Sequence, residues 1–205
     1  MRLLVASRNA KKLAELRRVL DAAGVAGVRL LSLDDVPPYP EAPETAATFE
    51  GNALAKARDG YRATGLACVA DDSGLCVDAL NAMPGVLSAR WAGRHADGAA
   101  GDAANLQLVL GQLADVPDER RGAAFVSCCA LVSAAGEVVV RGEWPGSIAR
   151  GPRGTGGFGY DPIFLPADLG GRSAAELTPA EKDAHSHRGR ALAQLVPALS
   201  ALASA

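Results

Sequence analysis

The stretch Gly154-Thr155-Gly156-Gly157-Phe158-Gly159-Tyr160-Asp161-Pro162-Ile163-Phe164 constrains the fold of this chain more than any other segment. Gly154, Gly156 and Gly159 satisfy the spacing G-x-G-x-x-G. That spacing marks a dinucleotide-binding βαβ unit only when a strand precedes it, a helix opens inside it, and an acidic residue follows ~20 positions later. Here Pro162 and the apolar Ile163-Phe164-Leu165 come next and read as a strand, so the Rossmann reading is rejected. Glycine tolerates φ > 0 and close backbone approach, and aromatic rings offer a stacking face. The segment is therefore expected to wrap a flat, polar ligand, with a mobile surface loop as the plain alternative.

The remaining elements set the class. Leu3-Leu4-Val5-Ala6 reads as a buried strand, and Ser7-Arg8-Asn9 as the turn into a helix carrying Leu13, Leu16, Leu20 and Ala23, with Gly24 as its stop. Val28 to Leu33 reads as a second strand, and Pro37-Pro38-Tyr39-Pro40 as an extended loop. A second helix is expected from about Thr48 to Thr64, closed by Gly65, and an apolar strand over Leu66 to Ala70 that ends in Asp71-Asp72-Ser73-Gly74. Asp102 is expected to cap a third helix, and two strands, Phe125 to Ser133 and Glu137 to Gly142, to turn at Ala135-Gly136. Thr178-Pro179-Ala180-Glu181 is a capping box with proline at the first helical position, and a final helix starts at His187. Strands and helices mix without strict βαβ alternation, which favours an α/β fold with a central mixed sheet.

At 205 residues, the chain suits one domain over 1–205 or two closely packed lobes. A net charge of −2 without long runs of one sign argues against a nucleic-acid surface. Cys68, Cys76, Cys128 and Cys129 contain no C-x-x-C, and are expected as reduced, mostly buried thiols of a cytoplasmic protein, with Cys128 and Cys129 on opposite faces of a strand. A zinc site is not expected, even with His185 and His187. The N-terminal apolar stretch is too brief for a signal peptide, and Gln194 and Pro197 break the apolar C-terminal tail, so no membrane span is expected.

Three further groups carry chemistry. Ser7, Asn9 and Lys12 sit where a strand passes into a helix, so backbone N–H groups, the positive end of the helix dipole and three side-chain donors suit an anion. The plain alternative is a capping Asn9 and a solvated Lys12. Asp71 and Asp72 after an apolar strand are costly unless paired or bound to a cation. Mg²⁺ typically takes one or two carboxylates plus substrate phosphates, and Glu44 is a candidate third carboxylate. Lys182, His185, Ser186, His187 and Arg188 form a polar group between two helices; arginine only donates, so Arg188 suits a keto oxygen on a base.

In order, Ser7-x-Asn9-x-x-Lys12, Asp71-Asp72-Ser73-Gly74, the glycine-rich segment and Ser186-His187-Arg188 make the chain resemble the inosine/xanthosine triphosphate pyrophosphatases. Pro84-Gly85-Val86, Ser88-Ala89-Arg90 and Trp144-Pro145-Gly146 extend the resemblance to nearly the whole chain, with Ser7 standing where threonine is common. The resemblance implies a long mixed sheet flanked by helices in two lobes with the nucleotide in the cleft between them, a homodimer, and Mg²⁺-dependent cleavage of ITP, dITP and XTP to the monophosphate and pyrophosphate. It implies that Ser7, Arg8, Asn9, Ala10, Lys11 and Lys12 hold the triphosphate. Asp72 becomes the catalytic carboxylate and a metal ligand with Glu44, and Asp71 shares that work; Ser73 contacts substrate. Phe158, Gly159, Tyr160 and Asp161 hold the base, with Lys182, His187 and Arg188 completing the pocket. Two rivals are a Maf-like pyrophosphatase, against which the Phe158 loop and Ser186-His187-Arg188 argue, and a nucleotide-binding regulatory module, which gains nothing from clustered carboxylates.

Overall fold

The computed structural model describes residues 1–41, 43–93 and 98–204. Its sheet runs in the order β2 (Arg29–Leu31), β1 (Arg2–Val5), β3 (Ala67–Val77), β5 (Gly122–Ser133), β6 (Gly136–Ile148), β7 (Phe164–Pro166), with the short β4 (Met83–Pro84) paired to β3. β1 pairs parallel with β2 and with β3, whereas β3–β4 and β6–β7 are antiparallel. The sheet is therefore mixed, as the absence of strict alternation implied. The helices are α1 (Ala10–Ala22), α2 (Phe49–Thr64), α3 (Gly98–Gln112), α4 (Pro179–His185) and α5 (His187–Ser204). No helix among the described residues is long and apolar enough to cross a membrane.

The chain divides into two compact units. The first comprises Met1–Asp72, Ser127–Gly142 and His187–Ala205; the second comprises Ser73–Val126 and Glu143–Ser186. In the first, strand alternation sorts the core into two layers. Leu3, Val5, Val69, Cys129 and Leu131 meet Leu16 and Leu20 of α1 and Leu192, Leu195 and Leu199 of α5. Leu4, Leu31 and Cys68 form the opposite layer with Tyr39 and Tyr61. Gly142 lets β6 approach the start of α5: a Cβ there would meet the carbonyl oxygen of His187 at 2.1 Å and the backbone nitrogen of Ala191 at 2.6 Å. In the second unit, Leu75, Val77, Val109, Leu113, Phe125, Trp144, Ile163 and Phe164 form the core, with the Phe125 and Phe164 rings edge to face at 4.6 Å.

Several caps follow the sequence directly. Asn9 caps α1 by accepting from the Lys11 amide (3.0 Å), Thr48 caps α2 by accepting from the Gly51 amide (3.1 Å), and Gly65 ends α2 in the left-handed region. The box at Thr178 and Glu181 opens α4. Cys68, Cys76, Cys128 and Cys129 form no disulfide among the described residues. Three expectations need correction. β3 does not stop at Ala70 but runs on to Val77, so Asp71 and Asp72 are strand residues. β5 and β6 are each longer than expected. Asp102 is not a cap: α3 is already helical at Gly98, and Asp102 lies in its second turn.

Candidate functional site

The first unit carries a buried charge network built on β3. Val5 ends β1 opposite Val69, and the Ala6 amide donates to the Val69 carbonyl (2.8 Å), so β3 leaves its parallel neighbour just before the two carboxylates. Successive strand residues face opposite sides. Asp71 points toward α1 and α5, where the Lys12 ammonium lies at 2.8 Å and Nε of Arg188 at 3.2 Å from the same oxygen. Nη1 of Arg188 pairs in turn with Glu15 at 2.8 Å. Asp72 faces α2. Its Oδ2 accepts from Nδ2 of Asn52 (2.9 Å), and its Oδ1 lies 3.5 Å from the Lys56 ammonium. Lys56 also meets Glu44 at 2.9 Å, and Asn52 accepts from the Ala46 amide (2.9 Å), which pins the loop that carries Glu44.

The two carboxyls respond in opposite directions. Burial pushes Asp71 up, but Lys12 and Arg188 outweigh it and hold its carboxyl well below the usual carboxylate range. Burial also pushes Asp72 up; Lys56 and Asn52 offset this only in part, nearby Glu44 adds to it, and the net shift is upward. Lys56 is pushed down by burial and more strongly up by Asp72 and Glu44, so it stays charged. Among the described residues no set of three or more His, Cys, Asp or Glu converges on a metal position. Glu44 and Asp72 do converge on one cation, the Lys56 ammonium. That pair fits the one or two carboxylates Mg²⁺ takes from a protein when phosphates supply the rest. Asp71 stands apart, its Oδ2 already shared by Lys12 and Arg188.

The expected phosphate residues are where the turn into α1 puts them. Ser7 Oγ accepts from the Asn9 amide (3.2 Å), Ala10, Lys11 and Lys12 form the first turn, and Arg8 reaches Glu41 at the surface. His187 and Arg188 open α5 and are buried. Ser73 shares the face of Asp71 on β3.

The second unit carries the glycine-rich loop. Gly157 has φ +73, and a Cβ there would meet Oδ2 of Asp161 at 2.1 Å, so only glycine fits. That same Asp161 oxygen accepts from the Phe158 amide (2.7 Å) and from the Lys182 ammonium. Lys182 lies 5.1 Å from the centroid of the Phe158 ring. The Gly159 amide donates to Asp102 (2.9 Å), and the Tyr160 hydroxyl donates to the Ser88 carbonyl (2.8 Å). The polar group expected over 182–188 is divided among separate partners: Lys182 serves Asp161, His185 meets Asp168 at 3.2 Å, and Arg188 serves Asp71 and Glu15.

Sequence reasoning missed Glu15, Asn52, Lys56 and Asp102. Asn52 and Lys56 left a signal. The stripe Phe49, Asn52, Ala53, Lys56, Ala57, Gly60 follows helical spacing, and two polar residues interrupt its apolar face.

The profile of the Ham1 family matches residues 3–198. The chain is 75% identical over 203 residues to a dITP/XTP pyrophosphatase of Mycolicibacterium paratuberculosis, covering 99% of this chain and 98% of that one. It is 74% identical to one of Nocardia farcinica, covering 98% and 96%. Among solved structures, a nucleoside-triphosphatase (dITP/XTP pyrophosphatase) of Mycobacterium abscessus superposes with a TM-score of 0.78 at 70% identity, covering 97% of this chain and 100% of that one. A HAM1 protein of Coxiella burnetii superposes with a TM-score of 0.85 at 42% identity, covering 98% and 99%.

Proposed function

Because this chain belongs to the Ham1 family, we propose that it hydrolyses ITP, dITP and XTP to the nucleoside monophosphate and pyrophosphate. The relatives named for dITP and XTP support the substrate class. The observation that carries the chemistry is the place of Asp72, a buried carboxylate that converges with Glu44 on a single cation position. A positioned carboxylate is suited to take a proton from an attacking water. The family assignment sets the Maf-like reading aside.

In this reading Asp72 receives the proton of the water that attacks the α-phosphorus, while Asn52 holds the carboxylate in place. Glu44 and Asp72 would hold Mg²⁺, which when bound supplies charge neutralisation on the phosphate oxygens and a more acidic water. Ser7 to Lys12 hold the triphosphate at the start of α1, where helix amides and the dipole favour an anion. Lys12 adds positive charge for the leaving pyrophosphate. Asp71 is proposed to anchor Lys12 and Arg188, not to ligate metal. Phe158 stacks on the base, Asp161 and Lys182 fix the loop and offer polar contacts, and His187 and Arg188 complete recognition, with Arg188 donating to the 6-keto oxygen. We also propose a cytoplasmic homodimer, which sedimentation of the purified protein tests. The decisive experiment for the reaction is product analysis. ITP should give IMP and pyrophosphate; IDP and orthophosphate on chromatography would overturn the proposal.

A further inference from the structure

We propose that Asp102 is a positioning residue for purine recognition, holding the Phe158–Gly159 peptide so that the Phe158 ring is presented to the base. This rests on the reading of Phe158 as the stacking face. Phe158 is flanked by two glycines with positive φ, Gly157 at +73° and Gly159 at +59°. Such a segment has wide backbone freedom, and its geometry must come from tethers. Two successive amides are tethered by carboxylates from different places. The Phe158 amide goes to Asp161, within the loop itself, at 2.7 Å, and the Gly159 amide goes to Asp102, on α3, at 2.9 Å.

Asp102 thus ties the loop to a regular helix. α3 is itself fastened one turn further on: Asn105 accepts from the Ala92 amide (2.7 Å) and donates to the Ala89 carbonyl (3.3 Å). The 3₁₀ segment Gly85–Arg90, which carries Ala89, accepts the Tyr160 hydroxyl at the Ser88 carbonyl. Loop, helix and 3₁₀ segment therefore brace one another on both sides of Gly159. Aspartate is among the poorer residues for a helix interior. Its position in the second turn gives it one rival role, a favourable charge near the positive end of the α3 dipole. A dipole role changes stability without changing how substrate binds, and this separates the two.

Steady-state kinetics with ITP tests the inference on Asp102→Ala, Asp102→Asn, Phe158→Ala and the Asp102→Ala/Phe158→Ala double variant. Loss of a hydrogen bond to a charged acceptor predicts that Asp102→Ala raises KM about tenfold, with kcat within about twofold. Asp102→Asn keeps an acceptor oxygen and should stay within about threefold of the parent KM. Acting through Phe158 requires the double variant to be no worse than Phe158→Ala alone. Should Asp102→Ala fail to fold, Asp102→Glu keeps the charge, displaces the oxygen and carries the same expected rise. If Asp102→Ala lowers the melting temperature but leaves KM unchanged, or if the two effects multiply in the double variant, the inference is overturned. Phe158→Ala with an unchanged KM overturns the stacking reading itself, and this inference with it. A raised KM in Phe158→Ala beside an unchanged one in Asp102→Ala removes only the role of Asp102.

Discussion

Asp71 and Asp72 are consecutive residues of one strand, exposed to 8% and 7%, yet the two faces of β3 treat them in opposite ways. On one face, two cations within 3.2 Å hold Asp71 ionised. On the other, Asp72 has one cation at 3.5 Å, one amide, and a competing carboxylate nearby, and its pKa rises. Burial is common to both and cannot account for the difference. The number and distance of the cations that each face supplies can. Titratable neighbours pushed apart in this way separate a structural charge from a reactive one.

The largest effect that could break this comparison is on turnover. Asp72→Asn keeps the shape and removes the proton acceptor, and should lower kcat for ITP by ~10²–10⁴-fold or more, with an unchanged circular dichroism spectrum. A rate near that of the parent at saturating Mg²⁺ would assign the base elsewhere.

The second effect is on stability, with opposite signs on the two faces. Asp71→Asn leaves the half-buried Lys12 without its carboxylate and the buried Arg188 with Glu15 alone, and should cost about 3 kcal/mol, measured by urea unfolding. Asp72→Asn removes a carboxylate that burial disfavours, and should leave stability at neutral pH equal or higher. The pH dependence follows the same signs. The depressed Asp71 contributes stability that is present above its ordinary value of 3.8 and is lost as pH falls through its lower folded value. The raised Asp72 contributes stability that is complete below 3.8 and is lost as pH rises through its higher folded value. Asp71→Asn should therefore flatten the acid side of the stability profile and Asp72→Asn the side above it. Equal profiles for the two variants would erase the contrast.

The third effect concerns specificity. Arg188 is anchored by Asp71 and Glu15, which fixes its guanidinium before any base arrives. Adenine offers an amino donor where hypoxanthine offers a keto acceptor, and arginine only donates. Arg188→Ala should compress the ratio of kcat/KM for ITP over ATP about tenfold. The ratio is insensitive to the fraction of folded protein. If both rates fall equally, Arg188 serves only Asp71, and base reading belongs to the Phe158 loop.

What the sequence made legible follows from what is local. Gly65 and the Thr178–Glu181 box act within a few residues of themselves and form as expected, Thr48 caps the helix whose start it marked, and Asn9 takes the capping role that the sequence left as the plain alternative. The carboxylates, the glycine loop and the residues around Arg188 were visible as residue types. Their partners were not. The Lys12–Asp71 pair spans β1–α1 to β3, the Arg188–Asp71 pair spans α5 to β3, and the Asp102–Gly159 bond spans α3 to the loop, so each depends on tertiary placement. Ending the strand at Ala70 hid the one fact that separates Asp71 from Asp72, since only a continuing strand puts neighbours on opposite faces.

The smallest effect sharpens the Asp72 face. Asn52 donates to Asp72 through Nδ2 and accepts from the Ala46 amide through Oδ1, so one side chain both favours the ionised carboxylate and ties down the Glu44 loop. The near-isosteric Asn52→Leu removes both bonds. A hydrogen bond to the charged form lowers a carboxyl pKa, so its loss raises the pKa of Asp72 further. The base must be ionised to act, and the acid limb of the rate profile should therefore move to higher pH. At neutral pH the loss should be modest, about three- to tenfold in kcat/KM, and acid pH should deepen it. The loss that persists on the plateau above the acid limb measures how far Asn52 acts by holding the Glu44 loop. A loss confined to the acid limb assigns Asn52 wholly to Asp72; an acid limb that does not move assigns it to the loop alone.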